Sequence, residues 1–229
     1  MADSMNKIKW FSKISIGFFI LLSIVLINGC SDSVTTPTQD NIQISMISSG
    51  GLFPEAATLV LDSVKVLIKD IKLNVSGNSD SVNFRTGPFM FRLNPDGVVN
   101  SVSTAMIPAG SYDKIMFEIH KLEPGDVVDT IFNSGGGHYS VIAYGKIDGN
   151  DFIYRSSMSA KQKLNFPALV PVGTSALSRV TISVKPYSWF WDGTQYMDPR
   201  DAANENNIDV NIKASFRAFK DDNRDGIPD

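Results

Sequence analysis

Oxygen-bearing side chains recur at every second position near the end of the chain: Asp221, Asn223 and Asp225, with Asp229 four residues on. Counted from Asp221 they hold positions 1, 3, 5 and 9. Gly226 stands at 6, where a sharp turn is needed, and Ile227 at 7 offers a backbone carbonyl. Hard oxygen ligands in that order around a glycine are the chemistry of a calcium loop. The register is not free, because starting one residue later puts Arg224 at position 3. The expected ligands are therefore Asp221, Asn223, Asp225, the carbonyl of Ile227 and Asp229, with Asp222 a spacer. No carboxylate follows at position 12, so the expected affinity is weak, about 10⁻⁴ to 10⁻³ M. The alternative for these residues is a solvated acidic tail.

A second cluster is aromatic: Tyr187, Trp189, Phe190, Trp191 and Tyr196, interrupted by Asp192-Gly193. On an extended segment Trp189 and Trp191 share one face. With Tyr196 they could form a flat platform for sugar rings, Asp192 taking hydroxyls. The alternative is packing at one end of the core. His120 is expected on the solvent face of its strand and His138 at a loop tip after three glycines. Neither suggests catalysis. No nucleophile elbow appears, no acid–base pair is marked by spacing, and the glycine triplet lacks the lysine-serine of a phosphate loop. The chain is thus expected not to be an enzyme; a hydrolase whose carboxylates meet only on folding is the remaining alternative.

At the other end, Lys7, Lys9 and Lys13 precede an uncharged, largely apolar run over residues 14–27, then Gly29 and Cys30. A basic head, a short apolar segment and a small residue before the cut make a secretory signal peptide over residues 1–29. Ile27-Asn28-Gly29-Cys30 resembles the lipobox of bacterial lipoproteins, with Asn28 in place of the usual Ala or Ser. The resemblance implies cleavage before Cys30 and acylation of its thiol, by palmitate or a similar chain. An uncleaved anchor with an incidental cysteine is the alternative. Ser31 resembles the residue after the cysteine in lipoproteins forwarded to the outer membrane. The acidic tail is similar to the calcium repeats of thrombospondin type 3 and of dockerins.

Removing three lysines and Asp3 with the leader leaves 18 Lys and Arg against 23 Asp and Glu. That acidic balance excludes a basic stripe for nucleic acid and leaves membrane attachment to the lipid. Cys30 is the only cysteine, so lipidation leaves no thiol for a disulfide, metal or nucleophile. A core without disulfides must come from bulk, and fourteen Phe, three Trp and six Tyr supply it.

Residues 31–41 are polar and read, with Cys30, as a flexible tether of roughly 18 Å. From 42 to 220 the pattern is strand, turn, strand. The clearest alternation runs over residues 208–219, with Ile208, Val210, Ile212, Ala214, Phe216 and Ala218 on one face. Ile115, Phe117 and Ile119 repeat it, and Asp148-Gly149-Asn150 predicts a hairpin. Other expected strands lie at 42–47, 89–93, 98–106, 162–166 and 179–184. Residues 56–75 fit two strands with the register broken after Leu61 and after Ile68; a helix is the alternative.

Ile107-Pro108-Ala109-Gly110-Ser111-Tyr112 resembles the turn-to-strand step of bacterial lipoproteins with an immunoglobulin- or transthyretin-like sandwich. The expectation is an all-β antiparallel β-sandwich over 42–220 after a signal peptide and tether, with a calcium-loop-like tail at 221–229. Its expected place is the bacterial envelope, its expected role binding or surface architecture. The expected partners are the membrane, a surface polysaccharide or another envelope protein.

Overall fold

The computed structural model describes residues 37–49, 59–77, 79–94 and 97–229. The signal peptide, Cys30, most of the tether and residues 56–58 lie outside these. Ten strands are described: β1 (Ile42–Ser48), β2 (Leu59–Val75), β3 (Ser81–Leu93), β4 (Asn100–Ala105), β5 (Gly110–Ile119), β6 (Val141–Ile147), β7 (Asn150–Ser156), β8 (Ala160–Val172), β9 (Ser178–Val184) and β10 (Phe216–Lys220). One sheet has the order β10-β9-β1-β4. The other runs β7-β6-β2-β5-β8, with β3 also on β2. Inward side chains from both sheets, such as Ile44, Val180, Val64 and Ile115, form one core. Phe117 of β5 meets Phe216 of β10 edge-on, ring centroids 5.5 Å apart. The all-β sandwich is the observed architecture. It is not wholly antiparallel, since β1 and β9 pair in parallel.

Residues 59–75 form a single strand rather than two. Its irregularities fall where the alternation breaks. Pairing with β6 shifts between Leu61 and Ser63, and pairing with β3 and β5 shifts around Asp70. Asp70 takes φ +56° and its Oδ1 accepts the N–H of Gly87 at 2.9 Å. A bulge adds one residue, so each shift restores the inward set, from Leu59 and Leu61 to Val64, Val66 and Ile68, then Ile71 and Leu73.

The long alternation over 208–219 is not one strand. Glu205–Ala214 is a helix, α1, and only Phe216–Lys220 is extended. The partner edge explains this. β9 ends at Val184, opposite Phe216, and Pro186 follows, with no N–H for a ladder. Residues upstream of Phe216 have no edge to join, and a helix satisfies its own backbone. Ile208 and Ile212, one turn apart, still reach the core, while Val210 is left 60% exposed.

The expected tether ends too late. Asn41 is fully buried. Its Oδ1 accepts the Ile107 N–H at 2.9 Å, and its Nδ2 donates to the carbonyls of Ile107 at 2.9 Å and Gly173 at 2.7 Å. Gln39 Nε2 reaches the Ser175 carbonyl, and the Thr104 hydroxyl donates to Asp40. The body therefore begins near residue 39.

Candidate cation sites and the aromatic corner

The acidic tail leaves β10 and folds back over β9. The Asp221 N–H donates to the Arg179 carbonyl at 3.0 Å, which carries the ladder one residue past the strand. The Asp221 side chain is buried: Oδ2 accepts from the Thr181 hydroxyl at 2.7 Å and the Gly226 N–H at 3.2 Å, Oδ1 from the Asp225 N–H at 3.1 Å. Asn223 Oδ1 also takes the Asp225 N–H, and Asp225 Oδ1 takes that of Ile227 at 2.8 Å. Backbone donors turned inward on carboxylates give the segment its curl. Gly226 is required twice over: its φ is +78°, and a Cβ there would lie 2.4 Å from Ile47 Cδ1.

Asp221, Asn223 and Asp225 are thus linked, but Asp229 does not join them. Its Oδ2 accepts from Lys220 Nζ at 2.8 Å and the Asp222 N–H at 2.9 Å. Lys220 and that N–H hold the Asp229 carboxyl below the usual carboxylate range. Asp221, Asp225 and Asp229 do not form a cluster of three carboxylates. Asp222, expected to be a spacer, is an anchor: Oδ1 accepts the Arg179 N–H at 3.0 Å, and Oδ2 pairs with Lys220.

The expected aromatic platform is absent among the described residues. Pro186–Phe190 winds into a 3-10 turn, so Trp189 and Trp191 do not share a strand face. Trp189 is fully buried and its Nε1 donates to Ser215 Oγ at 2.8 Å. Trp191 and Tyr196 pack edge-on at 5.2 Å across a short hairpin. Asp192, expected to take sugar hydroxyls, closes that hairpin by accepting from Thr194 and Gln195 N–H groups. Half-buried Trp191 lines a 240 Å³ hollow with Lys185, Ser188, Asn211, Ser215 and Arg217.

His138 is exposed, as a loop tip should be. His120, expected on the solvent face, is 2% exposed. It lies just past β5, where the chain turns into the segment covering Leu67 and Ile142 with Leu122 and Phe132. Its Nε2 lies 2.8 Å from Asp126 Oδ2, and its Nδ1 4.0 Å from Glu118 Oε1. Burial works against ionisation of Asp126, yet the Glu123 N–H and the His120 ring outweigh it and lower its pKa. Ligand atoms of His120, Glu123 and Asp126 lie within 4.8 Å of one another. The spacing His-x-x-Glu-Pro-Gly-Asp was the available signal, since Pro-Gly makes a turn that brings its flanks together.

The chain matches no protein-family model, no curated protein and no solved structure.

Proposed function

We propose that this chain is a lipid-anchored, non-catalytic β-sandwich of the bacterial envelope with a binding or surface-structural role. One observation supports the structural part: the polar segment after Cys30 leads into β1, a central strand paired with β4 on one edge and β9 on the other. Asn41 fastens that entry to the end of β4 and to the loops at Ile107 and Gly173 through four hydrogen bonds of its side chain and backbone N–H. Tension from a membrane anchor would load β1 along its ladders in shear rather than peel an edge strand. The carboxy-terminal loop fastens the neighbouring β9 and is proposed to take calcium. In this reading the ion engages Asp221, Asn223 and Asp225 and draws in the Ile227 carbonyl, while Asp229 serves as a clasp.

The deciding experiment is mass spectrometry of protein from bacterial membranes. A mature amino terminus at Cys30 carrying fatty acyl mass is expected, and Cys30→Ala should leave unacylated precursor. An amino terminus elsewhere, or an unmodified Cys30, removes the anchor and the envelope assignment with it.

A second reading, polysaccharide binding, rests on the 240 Å³ hollow. An aromatic wall at Trp191 with Lys185 and Arg217 beside it suits one ring of an acidic sugar. Affinity electrophoresis through uronate polymers should show retardation that Trp191→Ala removes. Equal mobility of the two proteins ends that reading.

A further inference from the structure

We propose that His120, Glu123 and Asp126 form a binding site for a zinc-class divalent cation, distinct in place and chemistry from the calcium loop. The donor set is one imidazole and two carboxylates. A neutral imidazole is a poor ligand for hard calcium or magnesium, and it suits zinc and its first-row neighbours. Four-coordinate zinc would take these three groups and keep one position for water.

The backbone under the three residues is held from several sides. The His120 N–H donates to the Leu67 carbonyl at 2.9 Å, and the Lys121 N–H to Ser159 Oγ at 3.1 Å. Leu122 is buried against Leu67, Phe132 and Ile142. Residues 123–126 then make a tight turn closed by the Asp126 N–H on the Glu123 carbonyl at 3.1 Å. Pro124 and Gly125, at φ +97°, occupy its centre, which is the type II arrangement. The turn sets Glu123 and Asp126 at its two flanks, Asp126 against the buried ring and Glu123 paired outward with Lys69. His120 already points Nε2 at Asp126, while Glu118 Oε1 stands 4.0 Å from Nδ1 and must close to hydrogen-bond range to support the ring from behind. A carboxylate behind the non-ligating nitrogen orients a metal-bound histidine and raises its basicity.

The groups stand close to the geometry required. Zinc–ligand bonds of about 2.0–2.1 Å place tetrahedral ligands about 3.3 Å apart. The His120–Asp126 pair at 2.8 Å must open slightly, and Glu123 must swing in from within 4.8 Å. The Glu123 side chain is 65% exposed and its Oε2 pairs with Lys69 at 3.9 Å, so a rotamer change suffices. The ion would take the place of Lys69 as the cation facing that carboxylate.

The test uses the full-length chain, with zinc chloride in calorimetry and cobalt(II) in visible absorption. One zinc per chain is expected, with a cobalt band in the visible characteristic of low coordination. Glu123→Gln, on an exposed side chain, should weaken zinc without loss of fold, and His120→Ala should abolish it. Glu118 is a positioning residue: Glu118→Gln should weaken zinc by about 10–100-fold while leaving the shape of the cobalt band unchanged. His138→Ala and Asp225→Ala should change nothing. No stoichiometric binding at submillimolar zinc, or binding indifferent to both Glu123→Gln and His120→Ala, overturns the proposal.

Discussion

The Asp221 carboxylate lies 2.7 Å from the Thr181 hydroxyl, and both residues are essentially sealed from solvent. A buried carboxylate is tolerated only when its oxygens are met by donors, and here one hydroxyl and two backbone N–H groups meet them. The tail is therefore part of the fold of β9 and not an appendage.

Thr181→Val keeps the shape and removes one donor. It should destabilise the protein by about 1–3 kcal/mol in urea denaturation, because the carboxylate keeps its burial and loses a partner. A change within error would mean that the tail detaches at little expense.

Gly226→Ala forces a Cβ onto Ile47 and strains a left-handed backbone. A loss of about 1–3 kcal/mol is expected. Ile47→Ala opens the space the methyl needs, so the double variant should lose less than the sum of the two singles.

Acid should release the clasp. The Asp229 pKa is lowered in the folded protein, so its contribution is present above the unfolded value and is lost as pH falls through the folded one. Carboxypeptidase trimming should accelerate below the ordinary carboxylate range, near pH 4 and under. Asp229→Asn should be trimmed faster at neutral pH and show little further change with acid.

Calcium at millimolar concentration should raise the melting temperature modestly by mass action. Asp225→Ala should remove that response and leave any zinc binding intact. Calorimetry that detects no calcium up to about 10 mM, ten times the weak edge of extracellular modules, leaves the segment a self-bonded acidic tail.

The helix over Glu205–Ala214 separates two sets of substitutions. Ile212→Asp and Phe216→Asp put a charge into a packed interior and should cost several kcal/mol, whereas Lys213→Asp should stay within about 0.5 kcal/mol. Val210→Asp decides between helix and strand. On a continuous strand it would be as harmful as Ile212→Asp; on α1 it faces solvent and should also stay within about 0.5 kcal/mol.

Much of the sandwich was legible because period-2 alternation is local. The Asp148-Gly149-Asn150 turn joins β6 to β7 as expected. The two breaks in the 59–75 pattern coincide with register shifts in β2, since a bulge must offset the inward set by one residue. In the tail, the spacing of Asp221, Asn223 and Asp225 foretold that they belong to one loop. Their link to Thr181 was not visible, because β9 lies forty residues away.

Residues 208–214 show what alternation leaves open. Ile208 and Ile212 satisfy a period of 2 and nearly a period of 3.6, so the local pattern serves a strand or a helix equally. The length of β9 and the proline after it decided the outcome. His120 and Trp189 follow the same rule: each is polar or amphipathic, and its burial depends on what another segment lays over it. Leu122 and Phe132 cap the sheet beside His120, and Ser215 meets the Trp189 indole. Sequence determined which residues can face inward along each strand. Tertiary structure decided which backbone edges have partners and which polar groups are covered, because both depend on segments distant in the chain.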